Sequence, residues 1–148
     1  MSLEIERKFL VNKTLWDKVK PNSGIRIVQG YLLNTPEKTV RVRVKGNQGF
    51  LTIKGETIGI SRKEYEYEIP IEDAEEMLLV FCTKRIDKIR YEINVKGHLW
   101  EVDEFKEPDS TLILAEIELN SEDEQFFLPE WITEEVSGDS RYYNANML

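Results

Sequence analysis

Apolar and polar residues alternate with a period of two along most of this chain, as in strands with one apolar and one polar face. "LEIERKFLV" (3–11) sets Leu3, Ile5 and Phe9 against Glu4, Glu6 and Lys8. "TVRVRVK" (39–45) sets Val40, Val42 and Val44 against Arg41, Arg43 and Lys45. The same pattern predicts strands over 4–11, 25–33, 39–45, 49–54, 62–69, 86–95, 98–105 and 112–120. Turn-like segments "NTPEK", "KGNQG", "KGH" and "KEPDS" separate several of them. Helices are predicted over 14–19, with Thr14 as N-cap, over 71–81, and over 121–128, where Ser121 and Glu124 have capping-box spacing. Glu72, Asp73, Glu75 and Glu76 at the start of 71–81 suit the positive end of a helix dipole. The tail, 139–148, reads as a last short helix or an irregular lid. Eight strands with few helices predict a mainly β, α+β fold: an eight-stranded antiparallel β-barrel with helices packed outside, formed by one domain over 1–148.

Composition narrows this picture. A chain of 148 residues, 41% hydrophobic and 32% charged, fits a single core. No apolar run approaches transmembrane length, and the N-terminus lacks the layout of a signal peptide. One cysteine, Cys82, rules out an internal disulfide. The expected location is cytoplasmic, with no membrane partner. A net charge of −8 argues against a nucleic-acid partner but not against a local basic pocket for a polyanion.

The polar faces sort by sign. Arg41, Arg43 and Lys45 share one strand, Lys54 lies on the next, and Lys88 and Arg90 share a later one. Glu64 and Glu66, Glu101 and Asp103, and Glu116 and Glu118 form acidic pairs. A wet sheet face that pairs charges across strands explains any one of these strands. As a set, they bring like charges to i, i+2 spacing, about 7 Å, which is costly unless something of opposite sign lies between. Arginine forks suit phosphate oxygens. Carboxylate rows suit a hard divalent cation that shares its coordination with phosphate. Together these are the components of phosphoryl transfer. Arg7 falls on the apolar side of its strand, where it must snorkel outward or pair with an acid.

The ordered motifs resemble a known family. "EIERK" (4–8) is similar to the E-x-E-x-K signature of the CYTH superfamily, the triphosphate tunnel metalloenzymes. "QGYL", "RVRVK", "LTIKG", "SRKEYEYEI", "DKIRY", "EVDEF", "LAEIEL" and "GDSRYYNANM" follow in the family's order over nearly the whole chain. The resemblance implies an eight-stranded tunnel that binds triphosphate in its lumen with Mg²⁺ or Mn²⁺. For chains of this length it implies inorganic triphosphatase activity, extending in some members to nucleoside or thiamine triphosphates, and it makes a homodimer plausible. It assigns Glu4, Glu6, Glu116 and Glu118 to metal, with Glu64, Glu66 and Asp103 as further acidic candidates. It assigns Lys8, Arg41, Arg43, Lys54, Lys88, Arg90 and Arg141 to the substrate. Tyr31, in "QGYL", is placed near Lys8 and joins Glu4, Glu6 and Lys8 as a catalytic candidate.

Two other readings stay open. A class IV adenylyl cyclase would make cyclic AMP from ATP. The resemblance gives that branch an aromatic- and His-bearing segment before the lysine strand, and "NTPEKTVRVRVKGNQGF" offers none. A non-catalytic triphosphate- or polyphosphate-binding module would use the same tunnel. It is disfavoured by the retention of Glu4, Glu6, Glu116 and Glu118.

Overall fold

The computed structural model describes residues 3–148. The alternation becomes nine strands: β1 (Leu3–Val11), β2 (Ile25–Asn34), β3 (Lys38–Lys45), β4 (Gln48–Gly55), β5 (Ser61–Ile69), β6 (Ile86–Val95), β7 (His98–Glu107), β8 (Ile113–Glu118) and β9 (Ile132–Glu135). The helices are α1 (Lys13–Asp17) and α2 (Ile71–Phe81), and two 3₁₀ turns, Ser140–Tyr142 and Asn144–Asn146, end the chain. No helix of the described residues is long and apolar enough to cross a membrane.

Eight strands close into an antiparallel barrel in the order β1-β8-β7-β6-β2-β3-β4-β5 and back to β1. Closure comes from β1, whose first half pairs with β5 (Leu3 opposite Lys63, Ile5 opposite Ser61) and whose later part pairs with β8 (Lys8 opposite Glu116). β9 then takes the edge of β1 that β5 leaves free, at Phe9 and Val11. Such closure removes exposed ladder edges.

The barrel has its polar face inside and its apolar core outside. On one flank Ala74 and Leu78 of α2, with Cys82 just beyond its end, lie over Val42 of β3. Gly30 permits the close approach, since a Cβ there would stand 2.7 Å from the Cys82 sulfur. On the other flank Trp16 of α1 and Trp131 pack over Phe9, Trp100, Val102, Ala115 and Ile117. Edge-to-face contacts join Trp100 to Phe9 at 5.5 Å and to Trp131 at 5.8 Å. A third cluster, Ile86, Phe105, Leu114 and Val136 with Leu10, Tyr142, Met147 and Leu148 against it, seals one end of the barrel.

Three sequence expectations change. Asn12, not Thr14, caps α1, accepting the Leu15 N–H at 3.0 Å. The helix expected over 121–128 is absent. Glu124 does fold back, accepting the Asn120 N–H at 2.7 Å. Phe126, however, must reach Phe9 and Trp100, which pulls the chain out of helical geometry, and Pro129 prevents its resumption. β9 adds a ninth strand where none was expected. Arg7 pairs with Glu135 on that strand (Nε to Oε2 2.8 Å) and lies over the Phe126 ring.

Candidate active site

The lumen holds a cavity of about 620 Å³ lined mostly by charged side chains. Alternation aims every second residue of each strand inward, so the sign sorting of the sequence becomes a sorting of the walls. Glu4, Glu6, Lys8, Tyr31, Arg41, Arg43, Lys54, Glu64, Glu66, Lys88, Arg90, Glu116 and Glu118 all line it.

The cationic wall is built from β2, β3, β4 and β6. Arg43 is held by Gln29, whose Oε1 accepts from Nε at 2.8 Å, and Gln29 in turn donates to the Tyr31 hydroxyl at 3.3 Å. Arg41 donates to Thr52 at 3.1 Å, and Thr52 donates to Glu66 at 3.0 Å. Arg90 forms a two-pronged pair with Asp103, at 2.8 and 2.9 Å. Lys88 reaches the same carboxylate at 2.8 Å and the Asn144 side-chain oxygen at 3.0 Å. Burial lowers the Arg43 guanidinium to about 9, helped by Arg41 and Arg90. Burial likewise lowers the Lys88 ammonium to about 7, with Asp103 opposing and Arg90 and Arg43 adding to the fall. This wall carries more positive charge than its buried carboxylate neutralises.

The opposite wall, on β5, β1, β8 and β7, has the complementary problem. Burial pushes the Glu6 carboxyl up to about 8. Glu116 and Glu4 add repulsion, and Lys8 only partly offsets it. Glu64 and Glu118 are also raised, by burial first and then by neighbouring acids, and Glu101 is raised by burial, which Arg90 only partly offsets. Glu4 and Glu116 escape: burial opposes them, but Lys54 and Arg62 bring Glu4 to about 2, and Lys8 and Arg90 bring Glu116 to about 2. Lys54 grips both Glu4 oxygens at 3.0 Å.

Among the described residues no three His, Cys, Asp or Glu side chains are already gathered as a metal-binding set. The donor chemistry nonetheless fits a hard divalent cation. Glu4, Glu6, Glu116 and Glu118 line the same cavity, and the repulsion that raises the Glu6 carboxyl is what a bound cation would relieve.

Two expected site residues are not part of the lining. Asp103 is buried beneath the wall with both oxygens taken by Arg90 and Lys88, so it positions cations and has no oxygen to spare for a metal. Arg141 is 79% exposed and bound to Asp139 at 2.7 Å, turned out to solvent by the cap of its own 3₁₀ turn. The chain places Tyr143 and Asn144 in the cavity wall instead. Sequence reasoning missed Gln29, Arg62, Tyr143 and Asn144. Gln29 and Arg62 were detectable by alternation, since each lies two residues from an inward residue on its strand (Tyr31 and Glu64).

Residues 2–143 match the CYTH domain. The chain is 46% identical to an inorganic triphosphatase of Acetivibrio thermocellus, across all of this chain and 94% of that protein. It is 39% identical to an inorganic triphosphatase of Nitrosomonas europaea, across 95% of this chain and 93% of that one. A solved crystal structure of an inorganic triphosphatase superposes with a TM-score of 0.67 at 36% identity, covering 97% of this chain and 96% of that one.

Proposed function

This chain belongs to the CYTH family, and on that premise we propose that it is an inorganic triphosphatase that hydrolyses a P–O–P bond within its barrel. One observation carries the reading: a single cavity is lined on one side by Arg41, Arg43, Lys54, Lys88 and Arg90 and on the other by Glu4, Glu6, Glu116 and Glu118, a cationic wall that fits an anion facing an acidic wall that fits a cation. Relatives named inorganic triphosphatase, aligned over nearly their full length, support it.

In this reading Arg41, Arg43, Lys54, Lys88 and Arg90 bind the phosphate oxygens, and Lys8 faces them from β1. Gln29 and Asp103 hold Arg43 and Arg90 rigidly, so the wall is preorganised and loses little on reorganising when charge develops. Water attacks a terminal phosphorus and the bridging P–O bond breaks. Pyrophosphate leaves with the bond's electrons, and the cationic wall stabilises its added charge. Glu4, Glu6, Glu116 and Glu118 would hold a divalent cation, Mg²⁺ or Mn²⁺, with Glu64 and Glu66 at the rim. Such an ion supplies Lewis-acid polarisation of phosphate oxygens. Tyr31 directs its hydroxyl into the cavity beside Gln29 and orients the substrate.

Phosphorus NMR of the purified protein with inorganic triphosphate and Mg²⁺ tests this. The expected products are orthophosphate and pyrophosphate in equal amounts. Unchanged triphosphate, or cyclic AMP formed from ATP in a parallel tube, would refute it.

A further inference from the structure

The residues after Asp139 form a strap across one end of the barrel. β1 and β2 stand opposite each other in the ring, four steps apart in either direction. Lys8 on β1 donates to the Tyr142 carbonyl at 3.4 Å, and Asn34 at the end of β2 donates to the Ala145 carbonyl at 2.7 Å. The strap is therefore held over the opening by side chains that reach in from opposite walls. Midway, Asn144 accepts from the Lys88 ammonium of β6 at 3.0 Å. Asn146 closes back on the Ser140 carbonyl at 2.9 Å, and Tyr142, Met147 and Leu148 anchor the strap on the apolar cluster at that end.

Consequently Lys88 is 0% exposed although it lines the cavity. Asp103 and Asn144 take two of its three N–H donors and the Phe105 ring lies 5.3 Å away, which leaves one donor for the cavity that Lys88 lines. A phosphate seated against Lys88 and Arg90 would have the strap immediately beyond it. An ester group on that phosphate would need the space that Asn144 and Ala145 fill.

We infer that the strap selects the substrate by its end: the phosphate that meets Lys88 is terminal and unsubstituted, and Asn144 is the specificity-determining residue that reads it. Its oxygen serves Lys88, which leaves its amide nitrogen to donate to a free phosphate oxygen. Asn34 is a positioning residue that pins the strap. The assignment rests on the triphosphatase reading and deepens it. It predicts that substituents are tolerated at one end of a triphosphate and rejected when both ends carry them.

The test compares inorganic triphosphate with a triphosphate esterified by adenosine at both ends, using the wild-type protein, Asn34→Ala and Asn144→Gly. The wild type should cleave the first and not the second. The variants should raise kcat/KM for the doubly esterified compound, relative to inorganic triphosphate, by about tenfold or more, the order of effect that steric selection gives. Wild-type cleavage of the two within about tenfold, or an unchanged ratio in variants that melt like the wild type, would overturn the inference. Should the wild type cleave neither, the triphosphatase reading fails. Competition binding then decides the strap separately: equal displacement of bound inorganic triphosphate by the doubly esterified compound would overturn it.

Discussion

Asp103→Asn probes the frame of the cationic wall. The Asp103 carboxylate is buried and serves as counter-charge for two buried cations, Arg90 at 2.8 and 2.9 Å and Lys88 at 2.8 Å. The amide keeps the shape and removes the charge. Breaking a buried pair by neutralising one partner costs about 3–5 kcal/mol, because the other charge is left uncompensated. For a chain of this size that lowers Tm by about 6–20 °C. The cost depends on pH. Asp103 helps hold the wild-type Lys88 ammonium at about 7, and the amide lets it fall further, so at pH 6 the variant must either keep that charge uncompensated or lose a proton the wild type keeps, whereas at pH 8 Lys88 is largely neutral in both and only Arg90 feels the loss. An anion in the lumen replaces the missing charge, so triphosphate added with a chelator should raise the variant's Tm more than the wild type's. Thermal melts at pH 6 and pH 8, with and without triphosphate, read all three effects. A variant that melts within about 2 °C of the wild type at pH 6, or one that triphosphate stabilises no more than the wild type, would refute the reasoning.

Other outcomes follow from the same geometry. Glu6→Gln should stabilise the chelated protein at pH 8 relative to the wild type. The folded-state pKa of Glu6, about 8, lies above the ordinary 4.5, so its contribution is fully present below pH 4.5 and is lost as pH rises through 8, and melts at pH 5 and pH 8 with chelator check this. Glu4 works in the opposite sense: depressed to about 2, it stabilises above pH 4.5 and that stability is lost as pH falls through 2, so Glu4→Gln should flatten the acid limb of Tm against pH. Arg43→Ala should lower kcat by about 10²–10³-fold, as loss of a preorganised charge-stabilising donor does, while Arg141→Ala should leave kcat/KM unchanged, both read by phosphate release. Arg7→Ala should cost about 1 kcal/mol of stability in urea melts without altering turnover, since its pair with Glu135 is half-exposed and outside the cavity.

Much of this architecture was legible in the sequence because alternation is a direct readout of a two-faced strand. The eight barrel strands lie within about two residues of their predicted bounds, and the sorted charges of β1, β3, β6 and β8 do face one lumen. What was hidden depends on contacts distant in the chain. β9 is four residues long and exists because β5 leaves part of the β1 edge unpaired. The capping-box pattern at Ser121 and Glu124 was real locally, but the tertiary demand on Phe126 overrode it. Asp103 has the same inward parity as Glu101, and only the register that sets it opposite Arg90 shows that its oxygens are already taken. Arg141 and Asn144 stand three residues apart in a tail without periodicity, so nothing in the pattern said which would turn inward.

The central claim, that an acidic wall and a cationic wall cooperate in hydrolysing triphosphate, is tested most directly by the rate of phosphate release from inorganic triphosphate. The wild type and Glu6→Gln would be assayed side by side, with Mg²⁺ and with chelator. The account predicts fast release by the wild type with Mg²⁺ and near-background release in the other three conditions, although Glu6→Gln remains folded. Equal release by the variant, or release that persists in chelator, would contradict it.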